Sequence, residues 1–123
     1  MVTRAESFSV AGLRLAYETA GAGDPPMIFV HGWACDRSYF APQFRHFAAG
    51  HAVAALDLRG HGESSHPAPG PGTYDIDVLA GDVAAAAAFY ASAEAEFITG
   101  TTLLVDGGMT AGYLQRERSE GRG

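Results

Sequence analysis

Lysine is absent from this sequence of 123 residues, and all eight basic residues are arginine. Every mechanism that needs a lysine amine is therefore excluded. The arginines are outnumbered by 14 acidic residues, which gives a formal net charge of -6. No basic patch offers a phosphate-binding face, so we do not expect nucleic acid as a partner.

Cysteine is nearly absent, since Cys35 is the single example. An intramolecular disulfide and a thiolate metal cluster are both excluded, which indicates a reducing compartment. The sequence also lacks the continuous apolar core of a signal peptide and any run long enough to span a bilayer. We expect a cytoplasmic protein with no membrane partner. Cys35 is either a reactive thiol beside the turn described next or, more commonly for a free cysteine, a packing residue.

The most informative stretch is Met27-Ile28-Phe29-Val30, which ends at His31-Gly32-Trp33. A short apolar run without polar alternation is typical of a strand that is covered on both faces of a parallel sheet. Gly32 allows the chain to fold back sharply, so backbone N–H groups near Trp33 can face a crevice at the carboxyl end of the strand.

The remaining periodicity predicts an α/β fold: a small, mostly parallel sheet with an N-terminal antiparallel hairpin at one edge. A helix with Pro42 in its first turn should connect two buried strands. A second helix from Thr73 should bury a stripe that includes Ile76 and Leu79. The predicted strands are 7–10, 13–19, 27–31, 52–57 and 101–105.

Two motifs in the first part of the chain are specific. His31-Gly32-Trp33 is followed by Leu56-Asp57-Leu58-Arg59-Gly60-His61-Gly62-Glu63-Ser64. Residues 1 to about 84 resemble the N-terminal part of an α/β-hydrolase, which shows these motifs in this order. The resemblance implies that Trp33 supplies one backbone N–H of an oxyanion hole, with His31 and Gly32 shaping the turn. Asp57 and His61 are candidate pocket residues. The alternatives are that Asp57 organises the following loop and that His31 and His61 are turn and packing residues.

A different resemblance begins near Gly81. The segments Phe97-Ile98-Thr99-Gly100 and Val105-Asp106-Gly107-Gly108 are similar to the C-terminal end of a short-chain dehydrogenase/reductase, over about residues 81 to 113. We interpret the chain as a chimera with its seam between Leu79 and Ala88. Its expected parts are a hydrolase-like part at 1–84, a reductase-like helix and strand at 85–114, and a disordered tail at 115–123.

Neither catalytic set is complete. A hydrolase of this class needs a nucleophile on a Gly-x-Ser-x-Gly turn, then an acid and a histidine. None of the seven serines has that context, Gly62-Glu63-Ser64-Ser65-His66 ends in the wrong residue, and no histidine follows His66. The reductase resemblance implies a Tyr-x-x-x-Lys pair and a glycine-rich dinucleotide turn, which are absent. We therefore predict no complete catalytic residues and no cofactor, and the spacing of His61 and His66 is poor for a metal.

The resemblance implies hydrolysis of an ester or a related bond, but the missing groups predict an inactive chain on its own. The alternatives are a nicotinamide-dependent oxidoreductase remnant and a non-catalytic fragment that self-associates through its sheet edges. A small molecule near the turn at 31–33 is the other expected partner. In the hydrolase order the strand after the second helix holds the nucleophile. We predict that Leu103 to Val105 fills this position, parallel to the strand at 27–31.

Overall fold

The computed structural model describes residues 3–93 and 104–107. A 3₁₀ helix at Arg37–Phe40 leads directly into the first α-helix. The other elements, in chain order, are β1 (Arg4–Val10), β2 (Leu13–Ala20), β3 (Met27–His31), α1 (Ala41–Phe47), β4 (Val53–Leu56), α2 (Ile76–Ala93) and β5 (Leu104–Gly107). The predicted tail at 115–123 lies outside the described residues.

The five strands form one mixed sheet with the order β1-β2-β4-β3-β5. β3 lies parallel to β4 on one side and to β5 on the other, whereas β2 runs antiparallel to both β1 and β4. The predicted α/β class and edge hairpin are confirmed. In the hairpin, Ala11 and Gly12 have positive φ angles of 48° and 78°. Two such residues in a two-residue loop form the turn that matches the twist of paired strands.

The pairing of β5 confirms the predicted position of the last strand. Phe29 pairs with Leu104 and Val30 with Val105. His31 then pairs with Gly107, so the backbone of β5 contains one residue more than β3 at this point. Such a bulge bends a strand locally, and here it lies at the carboxyl end of the sheet, beside the turn that follows β3.

One helix covers each face of the sheet. On one face, Phe40 at the end of the 3₁₀ helix and Phe44 of α1 form a cluster with Phe29, and the rings of Phe40 and Phe29 lie 5.3 Å apart. Pro42 lies in the first turn of α1, where a missing N–H costs nothing, as the sequence predicted. α2 and the hairpin enclose the larger cluster on the opposite face. That cluster contains Phe8, Leu15, Tyr17, Ile28, Val30, Ala54, Leu56, Leu58, Leu79, Val83, Ala86 and Tyr90.

The buried stripe of α2 differs from the prediction at its start. The helix begins at Ile76 instead of Thr73, so Ile76 lies in the first turn and its side chain is 76% exposed. Burial begins at Leu79 and continues through Val83 and Ala86. The expected part boundary after residue 84 falls inside this continuous helix. Neither described helix combines the length and apolar character needed to cross a membrane.

Candidate functional site

The turn after β3 lies at the carboxyl ends of the parallel strands, where α/β sheets bind ligands. Cys35 N–H donates to the carbonyl oxygen of Gly32 at 3.2 Å, and Ala34 has a φ of 65°. This is the geometry of a turn whose third residue is left-handed, a position that usually holds glycine or asparagine. With alanine there, the left-handed backbone costs about 1–2 kcal/mol. The surrounding contacts must therefore hold the turn.

His31 provides one of those contacts. Its Nδ1 lies 2.8 Å from the carbonyl oxygen of Gly32, and its Nε2 accepts the N–H of Leu58 at 3.0 Å. A carbonyl partner needs a proton on Nδ1 and an N–H partner needs a bare Nε2, so the imidazole is neutral. Burial lowers the pKa of His31 below its usual value, which also favours the neutral ring.

His61 repeats this arrangement on the other side of the turn. Its Nε2 accepts the N–H of Ala34 at 3.0 Å, and its Nδ1 lies 2.8 Å from the carbonyl oxygen of Arg59. The ring centroids of His31 and His61 are 5.1 Å apart. Each imidazole thus joins the turn after β3 to the loop after β4.

Asp57, a candidate pocket residue, is only 1% exposed. Its carboxylate accepts the backbone N–H groups of Arg37 at 2.7 Å and Glu63 at 3.0 Å, and it also pairs with the Arg37 guanidinium. These bonds fix the loop that follows β4, which is the alternative role considered for this residue. Gly62 makes the arrangement possible, because a Cβ there would lie 2.3 Å from Asp57 Oδ2.

Arg37 was not singled out from the sequence. Besides Asp57, its guanidinium contacts Glu63, with Nη2 and Oε1 at 2.6 Å, and Glu18, with Nε and Oε1 at 3.7 Å. The arginine therefore links β2, the start of the 3₁₀ helix and the loop after β4. Its partners are distant in sequence and follow no spacing rule, so no local signal could have identified it.

Ser64 lies in the segment that is most similar to a Gly-x-Ser-x-Gly nucleophile turn. Its hydroxyl both donates and accepts a hydrogen bond. Its Oγ donates to the carbonyl oxygen of Asp57 at 2.6 Å and accepts the N–H of Ala16 at 2.8 Å. The residue is 1% exposed. This serine secures the loop after β4 against β2.

Trp33 stands at the outside of the turn, with 64% of its side chain exposed. Its indole meets the His61 ring edge-on at 5.1 Å and the Tyr74 ring at 6.0 Å. Within residues 3–93 and 104–107, no acceptor contacts its backbone N–H. Trp33, the predicted oxyanion-hole donor, therefore lies beside His61.

An apolar cavity of about 20 Å³ lies between α2 and the sheet, lined by residues that include Phe8, Tyr17 and Tyr90. This is about the size of one water molecule and lies away from the turn. In the described part of the chain, no three His, Cys, Asp or Glu side chains are grouped as a metal ion requires.

Comparison with known proteins agrees with this architecture. A family model described as alpha/beta hydrolase fold matches residues 25–89, just over half of the chain. The chain belongs to the α/β-hydrolase family. The matched segment begins just before β3 and includes the Trp33 turn, β4, the loop after it and most of α2.

Several known proteins are similar to this α/β-hydrolase chain. Epoxide hydrolase 4 of Mus musculus is 40% identical over 74 residues, which are 59% of this chain and 20% of the relative. A non-heme chloroperoxidase of Streptomyces lividans is 38% identical over 76 residues, 60% of this chain and 26% of the relative. The chain thus spans about a fifth to a quarter of these proteins. The crystal structure of epoxide hydrolase VrEH1 from Vigna radiata has a TM-score of 0.72 at 24% identity, over 96% of this chain and 37% of that one, which supports the fold.

The C-terminal part also matches a second group. A family model described as Enoyl-(Acyl carrier protein) reductase matches residues 73–110. The 3beta-hydroxysteroid dehydrogenase 1 of Eggerthella lenta is 72% identical over 29 residues, 24% of this chain and 11% of the relative. The two family matches overlap between residues 73 and 89, within and just before α2.

Proposed function

We propose that this chain is the oxyanion-hole part of an α/β-hydrolase and that it does not turn over a substrate on its own. The observation that supports the first half is the Trp33 backbone N–H, which lacks an acceptor in the described part of the chain and belongs to a turn held by two imidazoles. An N–H held in this way can donate to the oxygen of an ester or a related electrophile.

The second half of the proposal comes from the sequence. No serine lies in a Gly-x-Ser-x-Gly turn, and no histidine follows His66 to act as general base. Ser64, the nearest alternative, holds the loop after β4 with both hydrogen bonds of its hydroxyl. One N–H donor without a nucleophile or a base binds an oxygen without cleaving a bond.

The test separates binding from turnover. The ¹⁵N-labelled chain is titrated with butyrate, a carboxylate that offers its oxygens to an N–H donor, and the amide shift of Trp33 is followed. We expect a saturable shift centred on Trp33. Hydrolysis of p-nitrophenyl butyrate and of styrene oxide should equal that of heat-denatured protein. A Trp33 amide that does not respond to butyrate contradicts the first half, and turnover above the denatured control contradicts the second.

The turn itself provides a matched pair of variants. Trp33 is the second residue of the turn, a position that accepts proline. Trp33→Pro removes the N–H and the indole, whereas Trp33→Ala removes the indole alone. If the backbone donor is what binds, butyrate should still shift the turn amides of Trp33→Ala but not those of Trp33→Pro.

A second candidate function is supported by the match of residues 73–110 to the reductase family and by the 72% identity to a steroid dehydrogenase over 29 residues. We propose that this C-terminal segment came from a reductase and was joined to the hydrolase part near α2. A nicotinamide-dependent oxidoreductase would bind NADH or NADPH. Titration of both nucleotides, followed by their fluorescence, tests this function. Enhanced nucleotide emission would favour it over the hydrolase proposal.

Self-association is the remaining proposal. In the described sheet, the outer edges of β1 and β5 have no strand beside them. Unpaired edges can pair with another chain. If the chain self-associates in this way, we expect a dimer whose population rises with concentration. Sedimentation velocity over a range of concentrations decides between this outcome and a monomer.

A further inference from the structure

The Trp33 turn has no glycine at the position that needs one. Ala34 occupies the left-handed region at φ 65°, and the bond from Cys35 N–H to Gly32 closes the turn. What fixes the orientation of the peptide between Trp33 and Ala34 is the bond from Ala34 N–H to His61 Nε2 at 3.0 Å. This peptide directly follows the amide that we assign as the oxygen donor.

We propose that His61 is a positioning residue for the Trp33 turn, and that its imidazole must be neutral to hold the turn. The inference deepens the proposed function, because the amide that it orients is the proposed donor. His61 orients the Trp33 turn only while its Nε2 is unprotonated, and protonation of Nε2 should release the turn.

Both ring nitrogens of His61 have a hydrogen-bond partner. Its Nδ1 is directed at a carbonyl oxygen, that of Arg59 at 2.8 Å, and therefore holds the proton of the neutral form. Nε2 is then the acceptor for Ala34. A second proton can enter only at Nε2, where it would face the N–H of Ala34 and break that bond. The left-handed alanine would then lose the contact that holds it.

The groups around the ring come from every neighbouring element. The His31 ring on β3 lies 5.1 Å from the His61 ring and is itself neutral, and the Trp33 ring lies at the same centroid distance from the His61 ring. Asp57 and Asp36 favour a positive charge on His31, whereas His61 opposes one. Asp57 is already paired with Arg37. Two neighbouring imidazoles resist double protonation, so a proton on His61 disfavours one on His31.

The chain has a built-in reporter, since Trp33 is its single tryptophan and its ring meets His61 edge-on. Intrinsic fluorescence therefore reports on this turn without any ligand. We expect the emission of Trp33 to change when acidification adds the second proton to the His61 ring.

Three variants test the assignment. His61→Gln keeps an acceptor near the position of Nε2 and cannot be protonated, so its emission should match the wild type at neutral pH and lose the acid titration. His61→Asn is too short to reach Ala34 and should show the acid-form emission already at neutral pH. His46→Gln, on the exposed side of α1, should behave as the wild type.

Two results would overturn the proposal. The first is a titration that persists in His61→Gln, since another group, His31 foremost, would then be responsible. The second is a wild-type spectrum in His61→Asn. If His61→Asn does not fold, ¹⁵N spectra of the wild-type imidazoles decide instead: a proton on Nε2 of His61 at neutral pH excludes the bond to Ala34. These readouts require no oxygen ligand, so they can fail while the butyrate experiment succeeds, and the reverse also holds.

Discussion

Arg59 and Asp82 form a buried ion pair with two parallel hydrogen bonds, Nε to Oδ2 at 2.6 Å and Nη2 to Oδ1 at 2.8 Å. The Arg59 Nη1 also donates to the carbonyl oxygen of Thr73 at 3.1 Å. One arginine in the loop after β4 thereby ties that loop to the middle of α2 and to the segment that leads into the helix.

Removing the Asp82 charge should therefore destabilise the fold strongly. Asp82→Asn leaves the Arg59 guanidinium buried without a counter-charge, which typically costs about 3–5 kcal/mol in the free energy of unfolding. Urea denaturation followed by circular dichroism measures this loss. Asp77→Asn is the control, because Asp77 is exposed in the first turn of the same helix and should lose at most about 1 kcal/mol. Equal losses in the two variants would show that the Arg59–Asp82 ion pair makes no specific contribution to the free energy of unfolding.

Two glycines should respond in opposite directions to the same substitution. Gly62→Ala places a Cβ 2.3 Å from Asp57 Oδ2 at a φ of 51°, so the free energy of unfolding should fall by more than about 1 kcal/mol. Gly81→Ala meets nothing within 4 Å and lies inside α2, where alanine should stabilise by about 0.5–1 kcal/mol. Urea midpoints of both variants against the wild type check the signs. A tolerated Gly62→Ala would mean that the Asp57 carboxylate is free to move.

Stability should fall as the solution becomes acidic, and His31 should contribute. Burial lowers the pKa of His31 below its usual 6.5, so the unfolded chain binds this proton more readily than the folded chain does. The stability that depends on neutral His31 is fully present above pH 6.5. It is lost as the pH falls from 6.5 through the lowered pKa of the folded chain. Urea denaturation at several values between about pH 8 and pH 5 measures the slope. His31→Gln should flatten the slope, and an unchanged slope in this variant would contradict the contribution of His31.

Tyr17 should titrate unusually late. Burial, followed by the hydrogen bond to Glu6 at 2.5 Å, raises the pKa of the Tyr17 phenol to about 12. The difference in ultraviolet absorbance between the wild type and Tyr17→Phe isolates this group. Glu6→Gln removes the negative charge beside the phenol, so the Tyr17 pKa should move down towards 10.0. No movement in Glu6→Gln would assign the whole shift to burial.

The sequence predicted the parts of the molecule that depend on local pattern. The apolar run at Met27–His31, Pro42 at the start of α1 and the N-terminal hairpin all depend on residues close together in the sequence. The parallel position of β5 also followed, because strand order is restricted once a helix of crossover length separates two buried strands.

Contacts between residues that are distant in the sequence could not be predicted from it. Nothing in the spacing of Arg37 indicates three acidic partners on two different elements, and nothing links Arg59 to Asp82 before α2 is in place. Ile76 was misplaced for a related reason: helical periodicity assigns a face but does not say where along the helix packing begins. His61 was predicted as either a pocket residue or a packing residue, and only the bond to Ala34 shows its connection to the turn.

The position of β5 beside β3 has a consequence during synthesis. β3 leaves the ribosome early and soon meets β4, but its second neighbour emerges only after both helices. For that interval one side of an apolar parallel strand has no hydrogen-bonding partner, and such an edge invites aggregation. A nascent chain stopped before residue 104 should therefore depend on chaperones far more than a chain that includes β5.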